Sequence, residues 1–255
     1  MTARLARTLG SLTAVVMTAA CSSYIEIPLE TPIRPKLDVS AFQRVLVAGF
    51  IAGGTDDVDG NLETTRLLRS QLRTKSEMRV IDTDILPLME AATEGRAARE
   101  TPEEIEGTPP GVIREDSDLE PYEHLFADVE YWKRIGEEYQ QPLIVTGTVM
   151  FASQARSGIV QRDQEVYDSL GRRRVVPVRT YMERKGFVLK PRFVFIDGRT
   201  GSVLYSEKFR EEVLYNANQT SPALSSYFEL MDRLIPSFLS TLSSQKIKGT
   251  RVLLQ

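Results

Sequence analysis

Two runs of almost unbroken apolar, β-branched residues constrain this chain more than anything else in it. They are "RVLVAGF" (Arg44–Phe50) and "LIVTGTVMFA" (Leu143–Ala152). A strand with water on one face alternates apolar and polar residues, so a strand that is apolar throughout must be covered on both faces. Helical patterns lie between the two runs. In "NLETTRLLRSQLRT", Leu62, Leu68 and Leu72 share a helical face with Leu67 beside it. Asn61 is the expected N-cap, and Glu63 adds negative charge in the first turn. Met78–Asp84 reads as a second strand and Leu86–Ala98 as a short helix. Tyr122–Gln140 reads as a longer helix, with Leu125, Val129, Trp132 and Ile135 at helical spacing and Pro142 behind it. Strand, helix, strand, helix, helix, strand predicts a sheet layered between helices.

The second half changes character. From Gly158 to Asp197 apolar and polar residues alternate around Gly171, which predicts a long hairpin with Arg172, Arg173 and Arg174 at its tip. Pro177 confines its strand to an edge or an irregular stretch. A clearer hairpin follows, with Phe193 and Phe195 before the turn Asp197–Gly201 and Val203 and Tyr205 after it. The run from Ala223 is an amphipathic closing helix with Leu224, Phe228, Met231, Ile235, Phe238 and Leu242 on one face, and Pro236 is expected to kink it. The tail to Gln255 could add a last short strand. The expected fold class is α/β with an α+β tendency, a mixed sheet flanked by helices with a C-terminal antiparallel hairpin region and closing helix.

Between these halves lies "ETPEEIEGTPPGVIREDSDLEP", Glu100–Pro121, with four prolines and many acids. It reads as a disordered insertion or an irregular surface loop. Catalytic and metal motifs are missing. The single histidine, His124, sits beside Glu123 on the opening turn of a helix and reads as a surface residue. No G-x-S-x-G, H-E-x-x-H, phosphate-loop or G-x-G-x-x-G pattern occurs. "GRTGS" (Gly198–Ser202) lacks the lysine of a phosphate loop. Glu103 and Glu104 lie in the expected loop, where no apolar pocket would tune a pKa for acid catalysis. Aligning "DDVDGN" to a calcium loop through Gly60 leaves Thr55 at the first position and Arg66 at the last, so Asp56, Asp57 and Asp59 read instead as charges near a helix N-terminus. No enzyme, cofactor, catalytic residue or metal site is expected. A net charge of −3 argues against a nucleic-acid partner.

The first twenty residues stand apart from the fold. Arg4 and Arg7 precede a short uncharged run, Leu9–Ala20, too short to span a bilayer. A basic start, a short apolar run and small residues read as a secretory signal over 1–20. Cys21 is the only cysteine among 255 residues. It forms no intramolecular disulfide, and it sits in no apolar periodic segment that could bury it. "MTAAC" (Met17–Cys21) resembles the lipobox of bacterial lipoproteins, with Thr18 where leucine is commoner. That resemblance implies acylation of Cys21, and more than one acyl chain anchors a protein stably. Ser22 after the cysteine, by resemblance to enterobacterial sorting, implies the outer membrane. Removing the signal leaves 30 basic against 35 acidic residues. Residues 21–38, with Pro28, Pro32 and Pro35, read as an extended lipidated tether, and 39–255 as a single α/β domain.

The order "LDVSAFQRVLVAGF … VDGNLETTRLLRSQLRTKSEMRVIDTD … YWKRIGEEYQQPLIVTGTV … VFIDGRTGSVLYSEKF" resembles the periplasmic α/β domain shared by the curli-secretion lipoprotein and the lipoprotein activator of penicillin-binding proteins. The likeness covers roughly 39–214 with gaps, and Glu100–Pro121 is no part of it. It implies a lipid-anchored, periplasm-facing envelope protein that binds or assembles partners without catalysis. The alternative it implies is a subunit of an oligomeric outer-membrane secretion complex. A pore-forming hairpin of the curli type fits less well, because Arg162, Asp163, Glu165 and Arg179 lie along the arms, and a cation at mid-membrane costs about 2–4 kcal/mol. Arg156–Arg192 carries ten basic and four acidic residues. Arg172, Arg173 and Arg174 are therefore the candidate contact with an envelope partner, and acyl chains on Cys21 the contact with the membrane.

Overall fold

A computed structural model describes residues 24–97, 112–216, 219 and 221–254. Strand β1 (Tyr24–Ile33) is followed by β2 (Arg44–Gly54), α1 (Gly60–Lys75), β3 (Arg79–Val80) and α2 (Leu88–Ala97). A 3-10 helix (Asp116–Ala127) leads into α3 (Val129–Glu138), β4 (Leu143–Tyr167), β5 (Arg173–Asp197), β6 (Val203–Lys208) and β7 (Glu211–Asn216). Helix α4 (Ala223–Leu242) and β8 (Gln245–Leu254) close the chain. These elements form two compact units, one of Lys36–Leu242 and one joining the segment up to Pro35 with that from Ser243 onward.

The larger unit is built on a mixed sheet of order β3-β2-β4-β5-β6, with β7 also on β5. Strands β3, β2 and β4 are parallel, and the rest pair antiparallel. The continuous apolar runs do form its centre: Val45–Ala48, Leu143–Val145 and Val149 are fully buried. One face packs on α1 and α4 through Leu68, Leu72, Tyr227, Leu230, Met231 and Phe238. The other packs on α2, the 3-10 helix and α3 through Leu88, Tyr122, Leu125, Phe126 and Trp132. The expected α/β class is the one observed.

Several local expectations change, each for a physical reason. Strand β2 runs on to Gly54 instead of ending at Phe50. Asp59, not Asn61, caps α1, its carboxylate accepting the Leu62 N–H at 2.9 Å. Asn61 is taken by β2: a bulge between Val47 and Gly49 frees the Phe50 N–H, which donates to the Asn61 side-chain oxygen at 2.8 Å. The second strand shrinks from Met78–Asp84 to Arg79–Val80. Beyond it, the Arg69 guanidinium donates to the Val47 carbonyl at 2.8 Å and the Thr83 carbonyl at 2.7 Å, standing where ladder bonds would continue.

The helix expected over Tyr122–Gln140 is two pieces, broken at Asp128, which caps α3 by accepting the Tyr131 N–H at 3.1 Å. Part of the expected insertion is ordered structure. Residues 100–111 lie outside the described residues, but Ile113 and Leu119 are buried. The Ile113 carbonyl accepts the Gly54 N–H at 2.8 Å, tying the segment to the end of β2. On α4 the expected inward residues Met231, Ile235, Phe238 and Leu242 are buried, but Leu224 is exposed, and Tyr227, Leu230 and Leu234 join the buried face. The helix continues through Pro236 as one element.

In the smaller unit β1 and β8 pair antiparallel from Tyr24↔Leu254 to Ile33↔Gln245. Residues 24–33, expected as an extended tether, are thus a paired strand. Pro28 and Pro32 fit there because a two-stranded ribbon leaves each strand one free edge.

Candidate interaction arm

Strands β4 and β5 pair over 25 residues each, from Leu143↔Asp197 to Tyr167↔Arg173, with no break in register. Their neighbours are shorter. On the β4 side pairing with β2 stops at Phe151, and on the β5 side β7 reaches only Arg184. From Ser157 and Glu183 outward the two strands have only each other among the described residues. Eleven residues per strand, at about 3.3 Å each, make a free ribbon of about 36 Å. The hairpin expected from the sequence is therefore present, and it stands away from the sheet as an arm.

The tip is held by its own chemistry. Tyr167 pairs Arg173, and the Gly171 N–H donates to the Asp168 carbonyl at 2.9 Å with Gly171 at φ +73°. This is a tight turn with a left-handed glycine, as three-residue hairpin loops require. The Asp168 carboxylate accepts the Arg172 and Leu170 N–H groups, each at 2.9 Å, and Arg172 Nε at 3.0 Å. Those bonds, the Arg172 N–H first, hold its carboxyl below the usual range against the opposing pull of burial.

The candidate tip arginines differ from one another. Arg172 pairs Asp168 and Arg173 pairs Glu165 at 2.9 Å, while Arg174 is exposed with no ion pair among the described residues. Elsewhere on the basic segment, Arg156 pairs Glu212, Lys190 pairs Asp116 and Arg192 pairs Glu123. Arg162, Arg179, Arg184 and Lys185 join Arg174 in having none there.

What the sequence reading missed is the apolar content of the arm. Ile159 faces Tyr181 across the ladder, 72% and 62% exposed, and Leu170 at the turn is 74% exposed. Tyr167, Val175, Val166 and Val176 are exposed as well. The opposite face pairs Val160 with Thr180, Arg162 with Val178 and Val166 with Arg174. Both faces mix cations with large apolar side chains. The signal was there in the alternation, but it became readable only once the register paired the positions.

The other candidates resolve into structural roles. His124 is half-buried, not a surface residue. Its Nδ1 and Nε2 lie 2.8 and 3.0 Å from the carbonyls of Pro121 and Ala92, so it ties the 3-10 helix to α2. Asp57 accepts the Thr55 hydroxyl at 2.9 Å, and Asp59 is the helix cap. A cleft at the carboxyl end of β2 is lined by Ala52, Gly53, Thr55, Met89 and Ile113, with Asp56 and Asp59 as its acids. Asp197 is 6% exposed and closes the β5–β6 turn. Burial pulls its carboxyl upward, but bonds from the Arg199 guanidinium and N–H hold it below the usual range. Burial pushes the Tyr227 hydroxyl up, and that group bonds Thr64 and the Gly60 carbonyl inside the core. Cys21 and the pair Glu103 and Glu104 lie outside the described residues. No helix among the described residues is long and apolar enough to cross a membrane.

No protein-family model matches the chain, and no curated protein does. Among solved structures it is similar to lipoprotein GNA1162 from Neisseria meningitidis, at 11% identity and TM-score 0.35 over 77% of this chain and 97% of that one. It is similar to the LpoB C-terminal domain from Salmonella enterica, at 9% identity and TM-score 0.30 over 70% and 84%. A PelC dodecamer from Paraburkholderia phytofirmans gives 13% identity and TM-score 0.33 over 86% and 99%.

Proposed function

We propose that the chain is a lipid-anchored, periplasm-facing protein of the cell envelope that binds and assembles a protein partner through its arm, without catalysis of its own. The arm carries this reading: two strands leave a well-covered sheet and present Ile159, Tyr167, Leu170 and Tyr181 beside Arg162, Arg174 and Arg179, which have no ion pair among the described residues. Aromatic and arginine side chains are the groups that most often dominate protein interfaces. A partner face rich in carboxylates, with an apolar patch at its centre, complements them. Two of the carboxyls held low, Asp168 and Asp197, are each occupied in closing a turn. "MTAAC" supplies the anchor through acylation of Cys21, and Ser22 favours the outer membrane.

The test is a photo-crosslinking residue at Tyr181 in intact cells, followed by mass spectrometry. A discrete adduct that disappears when the same residue is moved to buried Phe193 supports the reading. Absence of any adduct along Ile159–Tyr181 rejects it. The anchor is tested separately, since Cys21→Ser that stays processed and membrane-bound removes the lipoprotein reading.

A second reading is a subunit of an oligomeric outer-membrane secretion complex. The observation that favours it is the arm's length, because eleven residues per strand match the ~9–11 that a tilted transmembrane strand needs. Arg162 lies on one face of the ladder and Asp163, Glu165 and Arg179 on the other, so either orientation would turn charge to lipid, which counts against it. Detergent-extracted protein running as a ring of many copies selects this reading, and a monomer selects the first.

A further inference from the structure

The terminal ribbon of β1 and β8 has two unlike faces. Residues paired across an antiparallel ladder share a face, and the face alternates along each strand. One face carries Ile27 opposite Arg251, Leu29 opposite Gly249, Thr31 and Ile33. The other face carries Glu26, Pro28 opposite Thr250, Glu30 opposite Lys248, and Pro32. Ile27, Leu29 and Ile33 are 38%, 47% and 44% exposed, and Lys248 lies 3.9 Å from Glu30. A ribbon of two strands is marginal in water because it has no second layer to bury its apolar face. The face needs a cover.

The distance from the anchor says what that cover is. Cys21 precedes Tyr24 by three residues, and an extended chain spans at most about 3.6 Å per residue. Acyl chains on Cys21 hold that residue at the bilayer surface, so β1 begins within about 11 Å of it, in or just outside a headgroup layer about 5–8 Å thick. We propose that the ribbon lies flat on the membrane surface, an inference that rests on the lipid-anchor reading. Ile27, Leu29 and Ile33 enter the acyl boundary. Arg251 extends its stem along them and leaves its guanidinium at the lipid phosphates. Glu26 and Glu30 turn to water. This is the arrangement of an interfacial amphipathic helix, built here with a period of two. The anchor thereby folds the ends of the chain as well as holding them.

The test uses the full acylated chain in vesicles of phosphatidylethanolamine and phosphatidylglycerol containing a bromine-labelled phospholipid. Leu29→Trp and Glu30→Trp place a reporter on adjacent, opposite-facing positions, and the natural Trp132 is fully buried and gives a constant background. Bromine is expected to quench the Leu29→Trp protein several-fold more than the Glu30→Trp protein. Amide exchange over residues 26–33 is expected to slow when vesicles are added, with the arm unchanged. Equal quenching at the two positions overturns the proposal. So does a Leu29→Trp protein that is blue-shifted and dimeric without lipid, which assigns the face to a second copy. Vesicle flotation separates the two readings. If wild-type protein floats, Cys21→Ser does not, and Leu29→Trp is unquenched, the anchor stands and the ribbon inference alone fails.

Discussion

The same pair of strands makes the most buried and the most exposed parts of the larger unit. Between Leu143 and Phe151, β4 has β2 on one side, β5 on the other and helices over both faces. Between Ser157 and Tyr167 it has only β5 among the described residues. Nothing in the backbone changes at the boundary, because register and hydrogen bonding run through. The cover changes, and the sequence changes with it, from continuous apolar residues to alternation with charges. A strand's role is thus set by its neighbours, and substitutions in the two halves should have unlike effects.

Glycines test this most sharply. Gly147 sits at φ +144°, and a Cβ there would lie 1.8 Å from the Arg192 carbonyl. Gly147→Val is expected to yield no folded protein, a loss above about 4 kcal/mol. Gly158, on the same strand, has nothing within 4 Å of an added Cβ, so Gly158→Val should change stability by less than about 0.5 kcal/mol in urea unfolding. Equal effects would break the comparison. Aromatic rings come next. Phe193 contacts Phe50 and Phe238 edge-on at 5.9 and 4.9 Å. Phe193→Ala should cost about 3–5 kcal/mol, while Tyr181→Ala should stay within about 0.5.

The two turn carboxylates sharpen the contrast further. Asp197→Asn should lose roughly 1–2 kcal/mol at pH 7, from its charge-assisted bonds to Arg199. A carboxyl held low in the folded state adds stability above its unfolded value of about 3.9, and that stability is lost as pH falls through the lower folded value. The gap between wild type and Asp197→Asn should therefore close below about pH 4. Asp168→Asn should fray only the tip, seen as faster amide exchange at Leu170 and Arg172 with an unchanged Tm. The smallest effect on stability is expected from replacing Arg172, Arg173 and Arg174 together by serine, since exposed ion pairs contribute little. Tm should not move, while capture of the arm's partner should become weak and insensitive to salt. Unchanged capture would remove the tip from the interface.

How much of this was legible follows the range of the forces. The centre of the sheet was readable because burial on both faces leaves an unbroken apolar run. The tip was readable because "DSLGRRR" carries its turn chemistry within seven residues. Tertiary competition hid the rest. Asp59 and Asn61 are both good caps, and a bulge at Gly49 decides between them by claiming Asn61. Arg69 looks like a surface helix residue until two carbonyls from separate segments converge on it. Tyr227 joins the buried face of α4, where its hydroxyl meets Thr64 and the Gly60 carbonyl. The pairing of β1 with β8 joins the two ends of the described chain, and no local pattern announces it. For the site, the charge of the arm was plain, but its exposed apolar pairs depended on the register.

The point where β5 passes from sheet to arm has a mechanical meaning. Pro191 has no N–H for the outer edge, and there the edge splits into β6 and β7, with the Phe209 N–H on the Pro191 carbonyl. Strand β7 then grips β5 up to Arg184, Glu212 receives Arg156 from the other strand, and Arg233 of α4 reaches the Glu212 carbonyl. The outer edge is jointed, while the β4–β5 ladder beside it is not. A load applied at the tip meets no hinge on its way inward. The pairing that would carry it runs unbroken to the middle of the sheet, with β7 the last strand beside β5 before the arm, so a pull on the arm is expected to reach the core.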